Sequence, residues 1–221
     1  MTLQAPGELE RESVERQSPL FNKIGLPIAK SLAWLFFLLF GPLKVKGAYR
    51  VPRRSGLLIV ANHQSDLDPP AVQVACPRTV YFMAKSELFQ IPVLGMLIRM
   101  FKAFPVKRGE PDRTAIKKAV GYLKAGETVC IFPEGELSQD GAVQALKPGL
   151  ALIVRMAEVP VICVGLTNTR KIMPCGKLLP RPAFGGVSAT WGETAWFDKR
   201  AATEDILSWA EGQLKELVGP A

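Results

Sequence analysis

The chain has 221 residues, 48% of them hydrophobic, with a formal net charge of +8 and one histidine. That length suits one domain with a sizeable core and a small appendage, and argues against two full domains. Cys76, Cys130, Cys163 and Cys175 show no C-x-x-C spacing, which argues against a zinc site and marks them as reduced core residues in a cytosolic setting.

The positive charge is unevenly spread. Residues 1–17 carry four Glu and two Arg, leaving a net +10 for the remaining chain. It gathers at Lys44, Lys46, Arg50, Arg53 and Arg54, between Arg99 and Lys118, and at Arg170, Lys171, Lys177 and Arg181. On charge alone the partner is open among a phosphorylated substrate, a lipid headgroup, nucleic acid and plain solvent. No aromatic RNA-binding block or helix-turn-helix pattern accompanies the basic residues, so nucleic acid is not expected.

Residues 1–17 lack apolar periodicity and are predicted to form a mobile acidic tail, unlike a secretory signal, which starts basic and turns apolar at once. Residues 18–43 form a separate helical segment. Phe21, Ile24, Ile28, Leu32, Leu35 and Leu39 recur at helical spacing, and Trp34, Phe36, Phe37 and Phe40 widen the stripe. A helix from Ile28 to Phe40 reaches about 20 Å, short of the roughly 30 Å hydrocarbon layer. The segment is therefore expected to lie in the membrane interface, its Trp and Phe rings among acyl chains and Lys23, Lys30, Lys44 and Lys46 at headgroups. Its alternative is a core helix packed on a sheet.

Residues 44–221 make up the main domain. The run Gly56–Ala61 reads as a buried strand, and Asn62-His63-Gln64-Ser65-Asp66-Leu67-Asp68 follows before Pro69-Pro70, where a helix starts. All imidazole chemistry must pass through His63. On a continuous helix Asp68 would point to another face than His63, but a turn can join them. Asp68 also fits a plain helix N-cap, and only the conjunction of strand, His, short turn, carboxylate and helix start favours chemistry.

A second strand is expected over Thr79–Ala84, followed by Lys85, which is equally well read as a solvent-facing turn residue. A helix follows over Pro92–Met100 and a short strand within Phe101–Arg108. Next come an amphipathic helix over Arg113–Lys124 and a strand over Glu127–Phe132 that runs into Pro133-Glu134-Gly135-Glu136-Leu137-Ser138. Lys147-Pro148-Gly149 opens a helix to Glu158, Val159–Gly165 reads as a central strand and Gly186–Trp191 as an edge strand. Thr203 begins a helix with Ile206, Leu207, Ala210, Leu214 and Leu217 inward. The alternation predicts an α/β fold, a mixed and largely parallel central sheet flanked by helices.

Asn62-His63-x-x-x-x-Asp68 resembles the first motif of the glycerolipid acyltransferases, the family of bacterial 1-acylglycerol-3-phosphate acyltransferase. Further blocks occur in family order: the aromatic-apolar stretch ending at Arg108, Phe132–Ser138 against Phe-Pro-Glu-Gly-Thr-Arg-Ser, and Val159–Gly165 with Cys163 at the second proline. The resemblance implies fatty acyl transfer from coenzyme A or acyl carrier protein, as co-substrate and without a cofactor, to the hydroxyl of a lysophosphatidate-like acceptor at the cytoplasmic face of a membrane.

His63 and Asp68 would be catalytic, as base and orienting carboxylate. Lys85, Arg108, Glu134 and Gly135 would bind substrate, with Asn62, Pro133 and Ser138 in support. Glu136 replaces the block's Thr and Leu137 its Arg, which removes one expected cation and leaves the acceptor open among lysolipids. A non-catalytic lipid-binding relative is the alternative of another class. Without a Gly-x-Ser-x-Gly elbow direct transfer is favoured over an acyl-enzyme, with Ser65 still open as a nucleophile.

Overall fold

The apolar runs at 57–61, 128–131 and 161–167 form the middle of a seven-stranded sheet whose two surfaces are both covered by helices. The structure, a computed structural model, describes residues 19–106, 113–177 and 179–219, with side chains from Lys23 onward. The acidic segment 1–17 and Arg108 lie outside the described residues.

In chain order the strands are β1 (Leu43–Lys46), β2 (Leu57–Ala61), β3 (Val80–Lys85), β4 (Ala103–Val106), β5 (Thr128–Ile131), β6 (Val161–Thr167) and β7 (Val187–Ala195). The helices are α1 (Pro19–Phe40), α2 (Asp68–Ala75), α3 (Pro92–Met100), α4 (Arg113–Lys124), α5 (Gly149–Ala157), the short α6 (Thr169–Ile172) and α7 (Thr203–Val218). Spatially the sheet runs β1-β7-β6-β2-β5-β3-β4, with every pair parallel except β6 with β7.

Strand β2 is central and wholly buried, which explains its unbroken aliphatic sequence. Alternate residues serve opposite faces. Leu57, Ile59 and Ala61 join Phe37 of α1, Ala71 and Val72 of α2 and Ile172 of α6 in one core layer. Leu58 and Val60 join Val120 and Leu123 of α4, Leu150 and Val154 of α5 and Ile206, Ala210 and Leu214 of α7 in the other.

Helix α1 divides its apolar residues between two faces. Ala29, Ala33 and Phe37 are buried against the domain, while Ile24, Ile28, Leu32, Trp34, Leu35 and Leu39 remain exposed. The expectation that all the aromatic rings of this segment face lipid is thus corrected: Phe37 is core, and Phe36 and Phe40 pack half-buried against that core. Lys30 is also turned inward, donating to the Cys76 carbonyl at 3.2 Å, with burial lowering its pKa.

Three other expectations change. The strand at 187–195 is not at the sheet edge, because β1 adds beside it through Leu43–Lys46, where alternating lysines mask a strand as a charge cluster. Cys175 is exposed, unlike the other three cysteines. Asp68 is the first residue of α2 rather than its cap, a position held by Leu67.

Gly56, just before β2, sits against the main chain that ends α4: a Cβ there would collide with the Leu123 carbonyl. Gly56→Ala is expected to destabilise the fold by about 2 kcal/mol, read as a lower urea midpoint, since backbone cannot yield as a side chain can. The control is Gly121→Ala on α4, where a Cβ meets nothing within 4 Å, and which should hold or raise stability.

Candidate active site

Pairing of β2 with β5 ends at Val60–Ile131 and with β6 at Ala61–Val164, so the residues just beyond β2 emerge between two neighbouring strand ends. This is the carboxyl edge of the central strand, where α/β folds leave room for ligands. The main chain there is fastened by side chains rather than by a ladder. Asn62 donates from Nδ2 to the Leu166 carbonyl at 3.0 Å and accepts from the Leu166 N–H at 2.7 Å, extending the hold on β6 by one residue.

His63 is fastened through both backbone groups to the segment after β5. Its N–H donates to Glu134 Oε1 at 2.8 Å, and its carbonyl accepts from the Ser138 N–H at 2.7 Å. The imidazole stacks on Phe132, with centroids 4.1 Å apart and planes 23° from parallel. Its Nδ1 lies 3.0 Å from Asp68 Oδ2. His63 is 8% exposed and Asp68 fully buried.

The five-residue separation is bridged by a turn, in which the Asp68 N–H donates to the Ser65 carbonyl at 3.0 Å. The Asp68 carboxylate then accepts from the N–H groups of Gln64 (2.6 Å) and Ser65 (2.8 Å) on Oδ2, and from the Thr169 hydroxyl on Oδ1. Main-chain N–H groups can only donate, so Oδ2 faces Nδ1 as an acceptor. Nδ1 therefore carries a ring hydrogen, and in the neutral imidazole Nε2 is the nitrogen with the lone pair.

Glu134, expected to bind substrate, is buried and engaged on both oxygens by main chain, Oε1 with His63 and Oε2 with the Gln144 N–H at 3.2 Å. Burial raises its pKa, against the lowering effect of those two hydrogen bonds. The Pro133 carbonyl accepts from the Lys147 N–H at 2.9 Å. Ser138 Oγ organises the next turn, lying 2.9 Å from Asp140 Oδ1 and accepting the Gly141 N–H. Gly135 has φ 77°, the left-handed region that favours glycine.

Lys85 is exposed at the end of β3, on the same edge of the sheet but with β5 between it and β2. Ser65, left open as a nucleophile, donates its hydroxyl to the Met173 carbonyl at 2.8 Å and accepts from the Leu67 N–H, a structural engagement that ties the turn to the end of α6. Thr169 escaped the sequence reading. It lies 101 residues from Asp68 in a segment that reads only as a basic cluster.

A family model described as Acyltransferase matches residues 42–167, more than half of the chain. A 1-acyl-sn-glycerol-3-phosphate acyltransferase of Bacillus subtilis is 34% identical over 142 residues, 62% of this chain and 70% of that protein. A chloroplastic enzyme of the same name from Brassica napus is 33% identical over 152 residues, 67% of this chain but 44% of the relative. The chain thus spans less than half the length of the chloroplastic relatives. Among solved structures, the 1-acyl-sn-glycerophosphate acyltransferase PlsC of Thermotoga maritima superposes with a TM-score of 0.75 at 28% identity, over 95% of this chain and 85% of that one. The strand-end His63–Asp68 pair, the sheet around it and these matches lead to one conclusion: the chain belongs to the acyltransferase family.

Proposed function

We propose that the protein transfers a fatty acyl group from an acyl thioester, acyl-coenzyme A or acyl carrier protein, to the free hydroxyl of a lysophosphatidate-like acceptor, yielding phosphatidate. The observation that carries this reading is the 3.0 Å contact between His63 Nδ1 and Asp68 Oδ2, which leaves Nε2 able to take a proton. The acceptor hydroxyl loses its proton to Nε2 as its oxygen attacks the thioester carbonyl. The tetrahedral intermediate collapses with cleavage of the C–S bond, and the imidazolium returns the proton to the departing thiolate. No acyl-enzyme is required, and the engaged hydroxyl of Ser65 agrees with that.

Asp68 holds the tautomer and stabilises the imidazolium. Thr169 in turn holds Asp68, and Glu134 with Ser138 holds the backbone of His63. Arg108 and Lys85 are proposed to contact the acceptor phosphate, for which a guanidinium fork and an ammonium are suited donors.

The exposed face of α1 is proposed to bring the protein to a membrane surface. The stretch Lys23–Phe40 has a mean hydropathy of 1.6, but Ala29, Ala33 and Phe37 are sealed against the folded domain. A helix held along one side by a water-soluble core lies in the interface more readily than it crosses the bilayer. The outward residues Ile28, Leu32, Leu35 and Leu39 then dip among the acyl chains.

Three measurements test this reading. Purified protein with acyl-coenzyme A and lysophosphatidate, beside neutral lysolipids, should form phosphatidate, and His63→Ala should lose roughly a hundred- to ten-thousandfold in turnover; undiminished turnover would refute the mechanism. Thr169→Val should lower kcat roughly tenfold with KM little changed, because a buried carboxylate oxygen loses its donor, and Thr169→Ser should recover it. Replacing Leu32 and Leu39 together by Glu should move the protein from the vesicle pellet to the supernatant in a liposome sedimentation assay, with the circular dichroism spectrum unchanged.

A further inference from the structure

The connection from β6 to β7 lies past residues 42–167, where the family model matches, and Thr169 apart the acyl transfer proposed above gives it no task. Because β6 ends at Thr167 and β7 starts antiparallel beside it at Val187, residues 168–186 stand at the carboxyl edge of β2 and β6, the edge that carries His63. Helix α1 ends at the same edge, since β1 begins there with Leu43 paired to Val187. Within the connection Phe184 is 93% exposed and Leu179 80% exposed, two large apolar side chains left in water on one loop.

The backbone that carries them is fixed against the end of α1. The Ala183 N–H donates to the Phe40 carbonyl at 2.6 Å and the Val187 N–H to the Pro42 carbonyl at 3.1 Å. A Cβ on Gly186 would collide with that same Pro42 carbonyl, and Lys44 Nζ donates to the Gly185 carbonyl at 3.0 Å. Pro180 and Pro182 set φ on either side of Arg181, whose N–H donates to the Ile172 carbonyl at 2.8 Å. Phe184 is thus held beside the last turn of α1, where Leu39 is 68% exposed. The charges in this connection are of one sign: it contains Arg170, Lys171, Lys177 and Arg181 and no acidic residue. Arg170 faces Asp140, but Lys171, Lys177 and Arg181 are exposed and join no ion pair among the described residues.

We infer that Leu179 and Phe184 enter the surface of an anionic bilayer while Lys177 and Arg181 meet its headgroups, making the loop before β7 a second point of membrane attachment beside α1. A lipid surface suits both features at once, with apolar side chains at the acyl boundary and a basic collar at the level of the phosphates. A loop already fixed in place loses little conformational freedom on insertion. Two attachments also do what one helix cannot: a single interfacial helix lets the folded body swing about its axis, whereas the loop sets the carboxyl edge of the sheet against the bilayer. The same connection is tied to the site, since the Met173 carbonyl accepts from the Ser65 hydroxyl and the Thr169 hydroxyl donates to Asp68. The inference extends the attachment proposed for α1 and is independent of the reaction.

The test is sedimentation of the full chain with vesicles of phosphatidylcholine alone and of phosphatidylcholine with phosphatidylglycerol. Leu179→Ser combined with Phe184→Ser should lower the partition coefficient roughly tenfold on both kinds of vesicle. Lys177→Glu combined with Arg181→Glu should lower it to a similar degree on the anionic vesicles and little on the neutral ones. Trp196→Ser, which removes an exposed aromatic just after β7 at the opposite edge of the sheet, should change nothing. All of these side chains are exposed, and an unchanged circular dichroism spectrum checks that the variants are folded. Binding by the unaltered protein that the serine pair leaves intact overturns the loop assignment while the attachment through α1 stands; absence of binding by the unaltered protein overturns both. A serine pair that keeps its vesicle binding but loses self-association in sedimentation velocity gives the two side chains to a second copy of the chain, and overturns the lipid assignment equally.

Discussion

The buried carboxylate of Asp68 is the group on which the site depends. A carboxylate removed from water costs far more than the fold can spare unless donors surround it. Here the N–H groups of Gln64 and Ser65, the Thr169 hydroxyl and the His63 ring supply them. Satisfying that one charge therefore folds the turn after β2, fixes the first turn of α2 and draws in α6 from across the chain. The imidazole orientation follows, because Nδ1 is one of the four donors. His63 has little freedom left in its backbone either, being bound on both sides to the segment after β5.

The order of the strands turns this local constraint into a site. β2 lies between β5 and β6, so the residues that overrun its end find partners on both sides: Glu134 and Ser138 beyond β5, Leu166 at β6. The helix that Asp68 begins packs in the same core layer as α1, through Ala71, Val72 and Phe37. The outer face of α1 is apolar and exposed, while its inner face belongs to the core. One helix thus joins an exposed apolar surface to the layer beneath the His63 turn.

Much of this was legible in the sequence where periodicity and punctuation agreed. Pro92–Met100, Arg113–Lys124 and the start at Thr203 are bounded by prolines, charges and regular apolar spacing, and the helices form there. The His63–Asp68 turn was legible because strand, short polar run and Pro-Pro leave few other geometries. What escaped depends on distant partners. Leu43–Lys46 carries two lysines and becomes a strand only because β7 offers an edge. Thr169 has no local signal, since its role comes from a carboxylate 101 residues away. The two faces of α1 could not be separated from composition either, for both are apolar and only the packed domain decides which one is covered.

The departures in the third block follow the same division between scaffold and surface. Phe132, Pro133, Glu134, Gly135 and Ser138 match the family pattern, and four of them have a structural reason to: Phe132 stacks on the imidazole, the Glu134 carboxylate holds the His63 N–H, Gly135 takes a left-handed turn, and the Ser138 hydroxyl accepts from the Gly141 N–H. Glu136 and Leu137 do not match, and neither makes a side-chain hydrogen bond among the described residues; Glu136 faces solvent. Divergence at those two positions leaves the hydrogen bonds that hold His63 untouched while changing the charge of the turn. Under the proposed function, the residues that hold His63 in place and the residues that set the charge of the turn are thus different members of one segment, so the second set can change while the first is kept.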